Sequence, residues 1–160
     1  MRPFLSRLFA GVEPAIATAN PGEAARLAVL HAACFRRGWT EAEFERLLIE
    51  RSVVAQRART GGKLTGFIIS RIARDEAEIL SVAVARSHRG RGIAGRLLDI
   101  HLRTLAGLGV GTVFLEVDPD NAPARRLYAR RSFQEAGQRQ GYYPAQAGAA
   151  RALILRRDLS

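Results

Sequence analysis

The chain has one cysteine, one tryptophan, one methionine and, at Lys63, one lysine in 160 residues. A single cysteine, Cys34, excludes an internal disulfide and fits a reducing cytoplasmic setting. It lies in "LAVLHAACF", on the apolar side of an expected helix, where a small core residue is the simpler reading than a nucleophile. His31, His88 and His101 show no metal-ligand spacing with one another or with Cys34, so no metal is expected. No apolar run approaches the ~20 residues needed to cross a bilayer. Arg7 interrupts the apolar start "MRPFLSRLFAGVEPAIA" and no clear cleavage site follows, so residues 1–12 are expected as a loosely ordered N-terminus. Repeats, low-complexity blocks and linkers are also missing. The length then favours one domain over 1–160, large enough for a real core.

Arginine takes the place of lysine. Lysine and arginine total 25, so 24 are Arg, and the formal net charge is +10. Such a chain attracts polyanions: nucleic acid, ribosomes or a phosphorylated cofactor. The charge is spread along the whole sequence and does not by itself define a function.

Patterning predicts the order β-α-α-β-β-β-α-β-α-β-β. "EPAIATA" (13–19) reads as a first strand. Asn20, Pro21 and Glu23 then open a helix with the logic of a capping box, and Leu27, Leu30, His31 and Cys34 recur at helical spacing. Thr40 and Glu43 repeat the box before "AEFERLLIE". Two β-branched runs (52–59 and 64–73) flank the turn "TGGK" as a hairpin, and "DEAEILSVAVA" (75–85) enters the core as a strand. "AGRLLDIHLRTLAGLG" is a helix with Leu97, Leu98, Leu102 and Leu105 on one face. "GTVFLEVD" (111–118), "NAPARRLYARRS" and two closing strands complete the chain. Asp118 and Asp120 read as turn residues.

Between strand and helix stands "HRGRGIAGRLL", a literal G-x-G-x-x-G at Gly90, Gly92 and Gly95, with Glu116 about twenty residues on. A dinucleotide-binding reading fails on context. Five residues separate Val84 from Gly90, a hairpin and two helices precede the motif, and only 44 residues follow Glu116. A P-loop fails because no GKS or GKT follows. The physics of the segment survives without either name. Glycines let backbone N–H groups approach an anion, and a helix N-terminus adds partial positive charge. Arg86, Arg89, Arg91 and Arg96 surround it with cations, so the segment reads as a pyrophosphate cradle.

"RGRGIA" (89–94) fits the R/Q-x-x-G-x-G/A signature, and the chain resembles the GCN5-related N-acetyltransferase (GNAT) superfamily, which binds acetyl-CoA. In that frame Gly95 is incidental to the match. "FLEVDPDNAPARRLYARRSF" and "GYYP" further resemble the ribosomal-protein-alanine N-acetyltransferases (RimI type), which acetylate a ribosomal protein's N-terminal α-amino group. The resemblance implies an α+β (mixed α/β) fold: a single domain whose central mixed sheet of about seven strands is flanked by about four helices, with a splay between strands 4 and 5. It implies acetyl-CoA as co-substrate, held by the backbone of Val82, Ala83 and Val84 and by Gly90, Arg91, Gly92, Ile93, Ala94 and Gly95. Asn121 either caps its helix or also contacts the cofactor.

Acyl transfer to an amine needs a neutral amine, a polarised thioester and a proton for the leaving thiolate. An α-amino group has a pKa of about 8, so a base has little to do. Glu116, with Phe114 and Leu115 beside it, is expected in partly apolar surroundings that raise its pKa, and the resemblance implies that it is the general base. A phenol of pKa about 10 can protonate a thiolate, and Tyr128 matches the family's general acid. Trp39, Tyr142 and Tyr143 fall in the segments that clamp an acceptor peptide in such enzymes. The sequence departs from the family after "YYP", where "GAARAL" (148–153) carries Arg151 and alanines in place of acidic residues. Two other readings stand beside protein N-terminal acetylation. One is acetylation of a small amine such as a polyamine, an aminoglycoside or an amino acid. The other is a catalytically silent module that binds ribosomes or nucleic acid.

Overall fold

In strand β3 (Lys63–Ala73), Thr65–Ser70 are buried without interruption, as expected of a strand covered on both faces. Around it a computed structural model, which describes residues 13–139 and 152–159, builds a seven-stranded sheet in the order β1-β2-β3-β4-β5-β7-β6. The other strands are β1 (Ala15–Thr18), β2 (Val53–Thr60), β4 (Glu76–Val84), β5 (Thr112–Val117), β6 (Gln134–Arg139) and β7 (Ala152–Asp158). Every pair is antiparallel except β4–β5. A parallel pair needs a crossover, and α3 (Ile93–Gly107) provides it. The predicted order of elements and the mixed α+β class match the fold.

Among the described residues, four α-helices cover the sheet. On one face α1 (Ala24–Cys34) and α2 (Glu41–Ile49) bury Leu27, Leu30 and Phe44 against Ala55, Phe67, Ile69 and Ala83. On the other, α3 and α4 (Ala122–Ala129) bury Leu97, Leu98, Leu105 and Tyr128 with Ile79, Val113 and Leu115. The first helix differs from expectation only at its start. Pro21–Glu23 form a 3-10 turn before the α-helix, with Asn20 N–H donating to Glu23 Oε1 at 3.2 Å. At α2 the capping box forms as read: Thr40 N–H donates to Glu43 Oε2 (2.7 Å) and Glu43 N–H to Thr40 Oγ1 (3.1 Å).

The feature that positions a site is a parting of strands. Ile69 pairs with Ser81 but Ser70 with Ile79, so Leu80 is an extra residue on β4, a bulge. Bulges bend a strand and increase its twist. The β4–β5 ladder ends at that point, at Ile79↔Leu115, although β4 runs on to Val84 and β5 to Val117. Beyond it β4 keeps β3 as a partner, through Gly66↔Val84.

Candidate active site

Just past Val84 the chain makes a 3-10 turn (Arg86–His88) and reaches Gly90 and Gly92, at φ +77° and +80°. Left-handed backbone is costly for residues with a Cβ, which explains glycine at both positions. A Cβ on either would meet nothing within 4 Å, so the space beside this backbone is open. Gly92 is the N-cap of α3 and has no side-chain cap, leaving the helix N-terminus for an outside anion. The donor set therefore fits a pyrophosphate.

The four expected cations are not equivalent. All four are exposed, and Arg96 lies 3.8 Å from Glu13. Arg89 turns away: its Nε donates to the Val84 carbonyl (3.1 Å), and its Nη2 lies 3.6 Å from Cys34 Sγ. The Cys34 thiol donates to the same carbonyl at 3.6 Å. Arg89 thus ties the cradle loop to the end of β4 and to α1, and the Val84 carbonyl already has two donors. Cys34 is half-buried against the core, in keeping with a packing residue.

Gly95, incidental to the signature, has a packing role of its own. A Cβ there would collide with the Arg131 guanidinium, which crosses α3 at this point. Arg131 is pinned by Asp99 (2.8 and 3.3 Å) and by the Leu127 carbonyl (3.4 Å), so it has little freedom to move aside. Gly95 is buried under Arg131 and serves the contact between α3 and α4. Ile93 is buried in the core and Ala94 is half-buried against it.

Across the parting, β5 alternates. Val113, Leu115 and Val117 are buried among α3 and α4, while Glu116 is exposed and pairs through its backbone with Ile154 of β7. Of the two apolar neighbours expected beside Glu116, strand alternation turns Leu115 to the opposite face and leaves only the half-buried Phe114 on the same face, so Glu116 is more open than expected. Tyr128, on α4, is 7% exposed and meets Phe133 edge-on at 5.6 Å. Burial pushes its phenol up to about 12. Glu116 and Tyr128 thus belong to opposite faces of the sheet, and Glu116 stands one residue past the last β4–β5 pair. Asn121 is a helix cap, its Oδ1 accepting from Ala124 N–H at 3.2 Å. Asp118 Oδ1 accepts from Asp120 N–H at 2.8 Å, the expected turn.

A sequence profile of the acetyltransferase (GNAT) family matches residues 24–133, from the first helix to the end of the α4 turn. The chain belongs to the GNAT family. It is 34% identical over 122 residues, 76% of this chain and 82% of the relative, to the [ribosomal protein bS18]-alanine N-acetyltransferase of Escherichia coli K12. It is 39% identical over 124 residues, 75% of each chain, to the N-alpha-acetyltransferase RimI of Mycobacterium tuberculosis. Among solved structures, the ribosomal-protein-S18-alanine N-acetyltransferase of Escherichia coli superposes with a TM-score of 0.84 at 26% identity, over 92% of this chain and 95% of that one. The chain is thus a GNAT acyltransferase built on that family's fold.

On the remaining face of this GNAT domain, Trp39 is half-buried, stacked on His31 (4.6 Å between ring centres) and tilted against Phe44 (5.3 Å). Tyr142 and Tyr143 lie outside the described residues, as do residues 1–12 and the stretch up to Arg151. Two open clefts elsewhere, one beside Gln134 and Arg156 and one beside Asp99 and Arg103, involve neither the cradle nor the gap. Sequence reasoning missed His31, His101 and Arg131. A histidine at a buried helical position was the available signal for the first two. Arg131 had none, because its partner Asp99 is 32 residues away.

Proposed function

We propose that this protein transfers the acetyl group of acetyl-CoA to the N-terminal α-amino group of a protein, a ribosomal protein with N-terminal alanine being the favoured acceptor. The observation that carries this reading is the gap. β4 and β5 part after Ile79↔Leu115, Glu116 stands one residue beyond the last pair, and the Gly90–Gly92 cradle sits at the far end of β4. The acceptor class is supported by the relatives, which are named as alanine and N-alpha-acetyltransferases. A cytoplasmic setting suits such an acceptor. No helix among the described residues is long and apolar enough to cross a membrane.

Acetyl-CoA, when bound, supplies an acetyl thioester. Gly90 to Ala94 and the α3 N-terminus would hold its pyrophosphate, with Arg91 beside it, and the backbone of Val82 and Ala83 would hold the pantetheine arm. Glu116 takes a proton from the acceptor's ammonium through water, leaving a neutral nucleophile. Tyr128 keeps its proton in the resting enzyme, because burial pushes its pKa to about 12. As the amine nitrogen bonds to the acetyl carbon and the carbon–sulfur bond breaks, Tyr128 would give that proton to the departing sulfur, and the second proton shed by the nitrogen would return to the phenolate. Asn121 orients α4, which carries Tyr128. Trp39 lines the acceptor side.

Incubation with acetyl-CoA and an array of peptides varied at the N-terminus, read by mass spectrometry, tests this. Acetylation of α-amino groups with a preference for N-terminal alanine is expected. Product confined to lysine ε-amino groups or to small amines would overturn the acceptor assignment.

A further inference from the structure

We propose that His31 is a positioning residue for the acceptor: it holds the loop between α1 and α2, through Trp39, in the shape that receives the incoming N-terminus. This inference rests on the acetyltransferase reading above. The loop is folded back on α1 so closely that a Cβ at Gly38 would lie 3.0 Å from Ala32 Cα. Its exit is tied by two consecutive backbone donors. Trp39 N–H donates to His31 Nδ1 at 3.0 Å, and Thr40 N–H donates to Glu43 Oε2 at 2.7 Å. The His31 ring stacks on Phe35 (4.4 Å) and Trp39 (4.6 Å), and meets Phe44 edge-on (5.8 Å). It also reaches Phe67 of β3 at 6.1 Å. Phe67 pairs in register with Ala83, in the stretch of β4 that lines the gap. A continuous packed path therefore runs from the loop through His31 to the gap.

A residue that only filled this space would need no hydrogen-bond acceptor. His31 must present Nδ1 as a lone pair, which fixes the neutral Nε2–H tautomer. A proton on Nδ1 would set two donors against each other and free Trp39. The aromatic rings surround His31, and Phe67 is what β3 presents to it. Glu43 on α2 is the charged group whose field acts on it. Burial holds its pKa below the usual value against that field.

The test compares wild type with His31→Phe, which keeps a stacking ring without the acceptor, and His31→Asn, which returns an oxygen on Cγ where Nδ1 stood. His31→Phe is expected to raise KM for an N-terminal peptide about tenfold or more, with acetyl-CoA affinity near wild type and a Tm lowered no further than the loss of one part-buried hydrogen bond requires. His31→Asn is expected to recover part of that loss. Wild-type peptide KM should rise more steeply than that of His31→Phe as pH falls from 7.5 to 5.5, the amine's own titration being common to both. Trp39 is the only tryptophan, so its emission should titrate in wild type and not in His31→Phe, with no turnover needed. If emission titrates but peptide KM is the same in both, the positioning role is overturned and the acetyltransferase reading stands. Equal loss of peptide and acetyl-CoA binding would also overturn it, in favour of general support of the fold. A wild type inactive on every N-terminus would overturn the acetyltransferase reading and this inference with it.

Discussion

Glu116 and Tyr128 are separated by burial as much as by distance along the chain. The carboxylate stands exposed on a strand face, and the phenol is packed against Phe133. A base that must meet a solvated ammonium gains from exposure. An acid that must keep its proton until sulfur departs gains from burial. Glu116→Gln is nearly isosteric and removes the charge. It is expected to lower kcat by about 10² or more with acetyl-CoA affinity unchanged, and full activity in that variant would remove Glu116 from the mechanism. The resemblance singled out both residues in the sequence. What the sequence misjudged was how open Glu116 stands, because Leu115 faces the other side of the sheet and only Phe114 shares its face.

At the scale of elements, the cradle, α3 and α4 form one unit held by backbone conformation. Gly92 is left-handed at the first turn of α3. A valine there would be β-branched at positive φ, a strain of roughly 1–3 kcal/mol. Gly92→Val should therefore weaken acetyl-CoA binding by tenfold or more. Unchanged affinity by calorimetry would refute the cradle. Helix α4 ends differently. Phe133 N–H returns to the Tyr128 carbonyl at 3.1 Å, and the linking residue, Ser132, sits at φ +65° where glycine is favoured. Ser132→Gly should raise stability by roughly 0.5–1 kcal/mol, read as a higher urea midpoint. A lower midpoint would show that the serine side chain contributes more than its strain costs. The order of the elements was readable from periodicity and caps. The bulge at Leu80 was not, because it depends on how β3 pairs with β4, and with it went the position of the gap.

Across the whole molecule, polar groups are buried where the helices meet the sheet. His101 is fully buried on α3, with Nδ1 paired to Gln56 Oε1 on β2 and Nε2 to Ser70 Oγ on β3 at 2.5 Å. The amide oxygen can only accept, so Nδ1 carries a proton, and burial keeps the ring neutral at pH 7. Burial pushes its pKa down to about 4. The unfolded chain takes up a proton below about 6.5 while the folded one does not, so stability is whole above that pH and falls toward pH 4. His101 alone accounts for a loss on the order of 3 kcal/mol, and His31, also shifted down, adds in the same direction. Glu23 acts lower. Burial pushes it up, but hydrogen bonds from Arg59 and Asn20 N–H and the charge of Arg57 outweigh that and leave it below its usual range, so its contribution persists through this window. Urea midpoints at pH 7.5, 5.5 and 4.5 should fall steadily, and a flat series would refute a neutral buried His101.

Local chemistry in the sequence determined the helix starts at Thr40 and Asn121, the capped turn at Asn20, the left-handed glycines before α3 and the family signature from Arg89 to Ala94. Each depends on residues within a few positions of one another. Only the tertiary structure decided that Arg89 turns inward to Val84 and Cys34, that Gly95 makes room for Arg131, and that His31 receives Trp39. It also decided that β4 leaves β5 at Ile79. Those outcomes join side chains and strands far apart in the chain, and packing selects among partners that local spacing leaves equivalent.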